Sequence, residues 1–95
     1  MVKYEAAIKQ YDIAIQLAPD YAEAYFNRGV VYRSLGQSER AIEDYNRAIQ
    51  LSPQSADFYT TRALAYELLS KDTEAKRDFD MAIELGAKPD LSRQD

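Results

Sequence analysis

Residues of one kind return every 34 positions along this chain, and that register restricts the possible folds more than any other feature. Ala41 returns as Ala75, Tyr25 as Tyr59, Arg28 as Arg62, Tyr32 as Tyr66 and Leu35 as Leu69. Asp44 returns as Asp78, Ala48 as Ala82 and Ile49 as Ile83. One period earlier, Ala41, Tyr45, Ala48, Ile49, Leu51 and Pro53 are matched by Ala7, Tyr11, Ala14, Ile15, Leu17 and Pro19. A fixed period of this size builds one short supersecondary unit repeatedly, and each unit buries its apolar face against its neighbours. The register therefore predicts a stacked array.

Inside the period the apolar spacing is helical. Ala7, Tyr11, Ala14 and Ile15 fall on one side of a helix predicted from Lys3 to Leu17. Ala18-Pro19-Asp20 ends it, because the residue before proline is pushed out of the helical region. A second helix is expected over about Ala22 to Leu35, with Asp20 as its cap, Glu23 completing a capping box, and Gly36 permitting the exit. Ser38 should cap a third helix that reaches Leu51 and stops at Ser52-Pro53. Ser55 should cap a fourth, Ala56 to Leu69, and Asp72 a fifth, Thr73 to Leu85, ending at Gly86. Linkers of two to four residues make sequential helices antiparallel neighbours. The polar run AKPDLSRQD then reads as a fraying tail.

The stretch AEAYFNRGVVYRSLGQSERAIEDYNRAIQLSPQS resembles the tetratricopeptide repeat: Tyr25 stands at the large aromatic position, Gly29 at the glycine, Tyr32 at the tyrosine and Ala41 at the alanine. Tyr45 stands in for phenylalanine, and Pro53 closes the unit. The next unit keeps Tyr59, Tyr66, Ala75, Phe79 and Ala82, with Ala63 for the glycine and Ala87 for the proline. KYEAAIKQYDIAIQLAPD looks like the second helix of a unit whose first helix is missing. The resemblance implies an all-α fold, five helices stacked as antiparallel pairs in a short right-handed α-solenoid. It divides the chain into a half repeat (1–21), two repeats (22–55 and 56–89) and a frayed tail (90–95).

Composition narrows the function. The 95 residues carry neither cysteine nor histidine, so disulfides and thiolate metal sites are excluded, and the commonest general base and metal ligand are missing. A net charge of −4 without a basic cluster argues against nucleic acid. No calcium loop or glycine-rich phosphate loop is present, so neither metal nor nucleotide nor other cofactor is expected. No apolar stretch reaches the roughly 20 residues of a bilayer span. The start, MVKYEAAIK, has no apolar leader core, which points to the cytoplasm.

Two residue sets invite competing readings. Arg28 and Arg62 occupy a position where the family usually has leucine, and Asp44 and Asp78 recur with them. They either recognise a ligand carboxylate or pair internally, and pairing is preferred: Arg28 with Asp44, and Arg62 with Asp44 or Asp78. The eight tyrosines and three phenylalanines suggest stacking surfaces, but most sit at core positions; the register leaves Tyr21, Phe26 and Phe58 without one.

The resemblance implies a non-enzymatic protein–protein interaction module that binds a peptide or partner segment on the concave face of its first helices. By repeat position that face carries Glu23, Phe26, Asn27, Val30, Arg33 and Ser34, then Asp57, Thr60, Thr61, Leu64, Glu67 and Leu68. Chaperone-binding members clamp a C-terminal carboxylate with asparagines and basic residues. Asn27 matches one asparagine, but Asp57 and Thr61 stand where basic residues are required, so a basic or apolar segment suits this groove better. A half repeat at the start also leaves an apolar flank uncovered. It reads either as a fragment of a longer array or as a surface for homo-oligomer formation, in a self-associating or spacer segment of a larger scaffold.

Overall fold

The computed structural model describes residues 2–88; the tail expected over 90–95 lies outside them. Five helices follow one another: α1 (Val2–Leu17), α2 (Ala22–Ser34), α3 (Ser38–Leu51), α4 (Ala56–Leu68) and α5 (Asp72–Glu84). No strand occurs among the described residues. Each helix packs on the next, and α2 with α3 and α4 with α5 are the closest pairs. The molecule measures 41 × 27 × 18 Å, an elongated slab about two helices thick. One layer holds α2 and α4, bridged by the Phe26 and Phe58 rings; α1, α3 and α5 form the other.

Small side chains sit where the helices cross. Ala41, Ala48, Ala63 and Ala65 are fully buried, and Ala75 and Ala82 nearly so. Tyr45, fully buried as well, fills the space between them with Tyr32. The approach of α2 to α3 is close at Gly29, where a Cβ would lie 2.6 Å from Tyr45 Cε1 and 3.1 Å from the Ala41 carbonyl oxygen. A second cluster joins Ala22, Ala48 and Phe58.

Three helices end in the same turn. The Gln37 amide donates to the Tyr32 carbonyl (2.9 Å) and the Gly36 amide to that of Arg33 (2.9 Å). This is a Schellman motif with Gly36 at φ +79°. Lys71 to Tyr66 and Ser70 to Glu67 repeat it after α4, as do Ala87 to Ala82 and Gly86 to Ile83 after α5. Ser70 therefore adopts φ +59°, a left-handed conformation that costs a residue with a Cβ about 1–2 kcal/mol.

The helix starts differ from the expected capping. The residues at the cap positions are Tyr21, Gln37, Ser55 and Lys71, and none makes a side-chain capping bond. Backbone turns close these ends instead, with Ala24 donating to Tyr21, Ala41 to Gln37, Phe58 to Ser55 and Ala75 to Lys71. Ser38 and Asp72 are thereby the first residues of their helices. For Asp72 the positive end of the helix dipole supplies the favourable interaction that a cap bond would have given.

Candidate functional site

The outer face of α2 and α4 carries the residues expected to line a groove. Spacings of three and four residues put Glu23, Phe26, Asn27, Val30, Arg33 and Ser34 along one side of α2, and Asp57, Thr60, Thr61, Leu64, Glu67 and Leu68 along one side of α4. Glu23, Ser34, Asp57, Glu67 and Leu68 are exposed, and the other seven are half-buried. Phe26 and Val30 do double service, since both pack on the core. The Phe26 ring lies 4.7 Å from Phe58 and 5.8 Å from Tyr45, centroid to centroid. Leu68 is 65% exposed at the end of α4. The charged groups of the face comprise three carboxylates, of Glu23, Asp57 and Glu67, against the single guanidinium of Arg33.

Beneath this face lies the Tyr45 hydroxyl, buried and without a hydrogen-bond partner among the described residues. Burial pushes its pKa up to about 12, opposed by the positive charge of Arg33 and reinforced by Asp44.

Arg28 and Arg62 turn to the opposite layer. Arg28 Nε donates to Asp44 Oδ2 (2.9 Å) and Nη2 to Asp44 Oδ1 (2.7 Å), a bidentate pair with the carboxylate almost fully buried. Its Nη1 reaches back to Asp12 Oδ1 on α1 at 2.9 Å. Arg62 repeats the arrangement, with both bonds to Asp78 at 2.7 Å and Nη1 on Asn46 Oδ1 at 2.8 Å. Each guanidinium also lies between two tyrosine rings, Arg28 with Tyr25 and Tyr32, Arg62 with Tyr59 and Tyr66, at 5.6–5.9 Å. The paired carboxylate holds both arginine pKa values above the ordinary one, although desolvation works the other way. With Nε and both terminal nitrogens engaged, neither arginine is available to a ligand carboxylate; the internal pairing is the one present. Of Asp44 and Asp78, Arg62 takes Asp78.

The second acceptors, Asp12 and Asn46, were not among the expected partners. They lie 16 residues before their arginines, as Asp44 and Asp78 lie 16 after, so each arginine ties the second helix of one unit to that of the next. An open cleft of about 520 Å³ lies over Arg28 between α1 and α3, lined also by Ile15, Tyr32, Arg40 and Glu43. Arg40 stacks on Tyr32 at 4.4 Å from the ring centroid, closing one wall. No cluster of acidic residues capable of holding a metal occurs among the described residues, and no described helix is long and apolar enough to cross a membrane.

Family models for the tetratricopeptide repeat match residues 22–55 and, separately, residues 3–36. No curated protein sequence matches the chain. Among solved structures, the crystal structure of MamA superposes with a TM-score of 0.85 at 37% identity, covering 87% of this chain and 48% of that one. The second tetratricopeptide domain of Spaghetti (RPAP3), bound to the HSP90 peptide SRMEEVD, superposes with a TM-score of 0.84 at 32% identity, covering 87% of this chain and 77% of that one. A mutant form of MamA gives 0.83 at 27% identity, covering 90% and 63%. The chain thus spans about half the length of the MamA chain it matches first.

Proposed function

The chain belongs to the tetratricopeptide repeat family and is a non-catalytic protein–protein interaction module; we propose that its partner is a basic, partly apolar segment held on the concave face formed by α2 and α4. The observation that carries this reading is the charge of that face, where Glu23, Asp57 and Glu67 outnumber Arg33. Asn27, Thr60 and Thr61 supply amide and hydroxyl groups for the partner's backbone. Phe26, Val30 and Leu64 offer apolar contact. The unit boundaries at 21/22, 55/56 and 89/90 belong to the same reading. The RPAP3 domain is bound to a peptide with the acidic end EEVD. Asp57 and Thr61 make the present face a poor match for such a sequence, because a carboxylate there repels the ligand's own.

Calorimetric titration tests the reading with two peptides of equal length, one rich in lysine and leucine and one ending in EEVD. The basic peptide is expected to bind more tightly, with an affinity that weakens as salt increases. Neutralising Glu23→Gln, Asp57→Asn and Glu67→Gln together is expected to reduce that affinity about tenfold or more, roughly 0.5 kcal/mol per charge. Preference for the acidic peptide, or indifference to the neutralisation, would refute it.

A second reading, self-association through α1, is favoured by a separate observation. No residue of α1 is buried, whereas Ala41, Tyr45 and Ala48, one period after Ala7, Tyr11 and Ala14, are fully so. In this reading the chain is a self-associating segment of a larger scaffold.

A further inference from the structure

Tyr45 keeps a hydroxyl that the packing around it does not use. The residue is fully buried on α3, and its oxygen has no hydrogen-bond partner among the described residues. Most buried hydroxyls are paired, because an unpaired one has given up its bonds to water without replacement. The fold does not depend on the oxygen, since one period later Phe79 holds the equivalent place on α5. A destabilising atom is thus retained where phenylalanine would pack. Such a departure from local rules is expected where a residue has a task beyond holding the fold together.

The ring carries that atom toward the groove. It runs from α3 past Gly29 of α2, where an added Cβ would lie nearer Cε1 (2.6 Å) than Cδ1 (2.9 Å), so the hydroxyl end reaches furthest into the α2 layer. The cluster that holds Tyr45 also includes Ala65 of α4, and the half-buried Phe26 and Val30 of α2 pack against it. The Phe26 and Tyr45 ring centroids are 5.8 Å apart. The hydroxyl therefore lies between the two first helices, under side chains of the concave face.

The surroundings select what can bond it. A phenolic hydroxyl both donates and accepts. The positive charge of Arg33 acts on it and opposes a cation there. Glu23, Asp57 and Glu67 on the same face oppose a carboxylate. A neutral acceptor oxygen meets neither objection, and a peptide backbone has one at every residue.

We infer that the Tyr45 hydroxyl is a specificity-determining contact of the concave-face site, donating a hydrogen bond to a main-chain carbonyl of the bound segment. The bond forms as the Phe26 ring turns aside, a rotamer change of the kind common at interfaces. This rests on the concave-face reading and adds a register to it: Tyr45 fixes one carbonyl of the segment, while the segment's basic side chains meet the carboxylates.

Calorimetric titration with a lysine- and leucine-rich peptide, acetylated and amidated at its ends, tests it, since amide carbonyls are that peptide's only acceptor oxygens. Tyr45→Phe is expected to bind about three- to tenfold more weakly, the worth of one neutral hydrogen bond, while melting at or above the parent's temperature. Replacing the peptide's amides one at a time by thioamides, which are weaker acceptors, locates the bond. At one position the replacement is expected to weaken binding to the parent but not to Tyr45→Phe. Equal affinities of the two proteins, or no position at which the thioamide effect depends on the hydroxyl, overturns the contact. A Tyr45→Phe protein that melts lower than its parent overturns it too, because the hydroxyl is then paired within the fold. A peptide that binds but ignores neutralisation of Glu23, Asp57 and Glu67 overturns the acidic-groove reading, and the thioamide result still decides the contact. A peptide that does not bind overturns both.

Discussion

A single methyl group at Gly29 sets two opposed effects against each other, and the structure decides between them. Alanine stabilises a helix interior by about 1 kcal/mol relative to glycine, and Gly29 lies in the middle of α2. Against this, the added Cβ would sit 2.6 Å from Tyr45 Cε1, 2.9 Å from Cδ1 and 3.1 Å from the Ala41 carbonyl oxygen. The Tyr45 ring is fully buried and has Phe26 beside it, so it has no free space to retreat into. Overpacking of such a site costs about 1–3 kcal/mol, and contacts this short put Gly29→Ala toward the upper part of that range. The net expectation is a loss of about 1–2 kcal/mol, which for a domain of this size lowers the melting temperature by roughly 5–15 °C. One period later Ala63 keeps its Cβ, fully buried. The reverse change Ala63→Gly is accordingly expected to destabilise as well, by about 1–2 kcal/mol from lost helix propensity and a lost buried methyl group. Urea denaturation followed by circular dichroism measures both. A Gly29→Ala protein more stable than its parent would show that α2 and α3 yield at their crossing, and close approach would no longer explain the glycine.

The arginine seam makes a second prediction. Arg28→Ala leaves the buried Asp44 without its bidentate partner and releases Asp12 on α1, so unfolding in urea should show a loss of about 2–4 kcal/mol. Arg28→Leu combined with Asp44→Ala is expected to recover more than half of it; equal losses in the two proteins would refute the unpaired-carboxylate explanation. Tyr45→Phe removes a buried hydroxyl that has no partner among the described residues, and should raise stability at neutral pH by about 1 kcal/mol. Because the folded-state pKa of Tyr45 is raised to about 12, the folded protein keeps that proton after the unfolded chain has lost it. Its contribution is thus intact below about pH 10 and declines as pH rises toward 12, by at most about 2.7 kcal/mol. The advantage of Tyr45→Phe should therefore widen between about pH 10 and pH 12, and parallel decline of the two proteins would count against it.

What the sequence made legible depended on whether a feature repeats. Helix number, helix ends and the arginine–aspartate pairs all follow the period of 34, and the structure has them. The Phe26–Phe58 contact does not repeat. One period after Phe26 stands Thr60, and one period before Phe58 stands Ala24, so matching by register passes over the ring pair that joins α2 to α4. Asp12 and Asn46 are one period apart, but one is a carboxylate and the other an amide. What recurs is an acceptor oxygen facing the next unit's arginine, a property invisible to matching by residue type. The capping residues failed for another reason. Ser55 stands at the cap of α4 as expected but makes no side-chain bond, and Asp20 lies one residue before the cap of α2. Serine and aspartate are favourable both at the cap and in the first turn, and Ser38 and Asp72 each stand one residue inside the helix they were expected to cap.

The charge of the candidate groove shows why direction matters more than count. Helices α2 and α4 together hold Arg28, Arg33 and Arg62 against Glu23, Asp57 and Glu67, a formal balance of zero. In the structure two of the three arginines turn away from the outer face to bind Asp12, Asp44, Asn46 and Asp78 on the other layer. Their charges are neutralised there at 2.7–2.9 Å, leaving Arg33 as the sole guanidinium of these two helices on the side that carries the three glutamate and aspartate carboxylates. The seam that holds successive units together is thus also what gives the face its sign. Replacing Arg28 or Arg62 by the leucine usual in the family would alter the seam without adding a charge to the groove. Replacing Arg33 changes the groove without touching the seam, so the two roles can be separated by mutation.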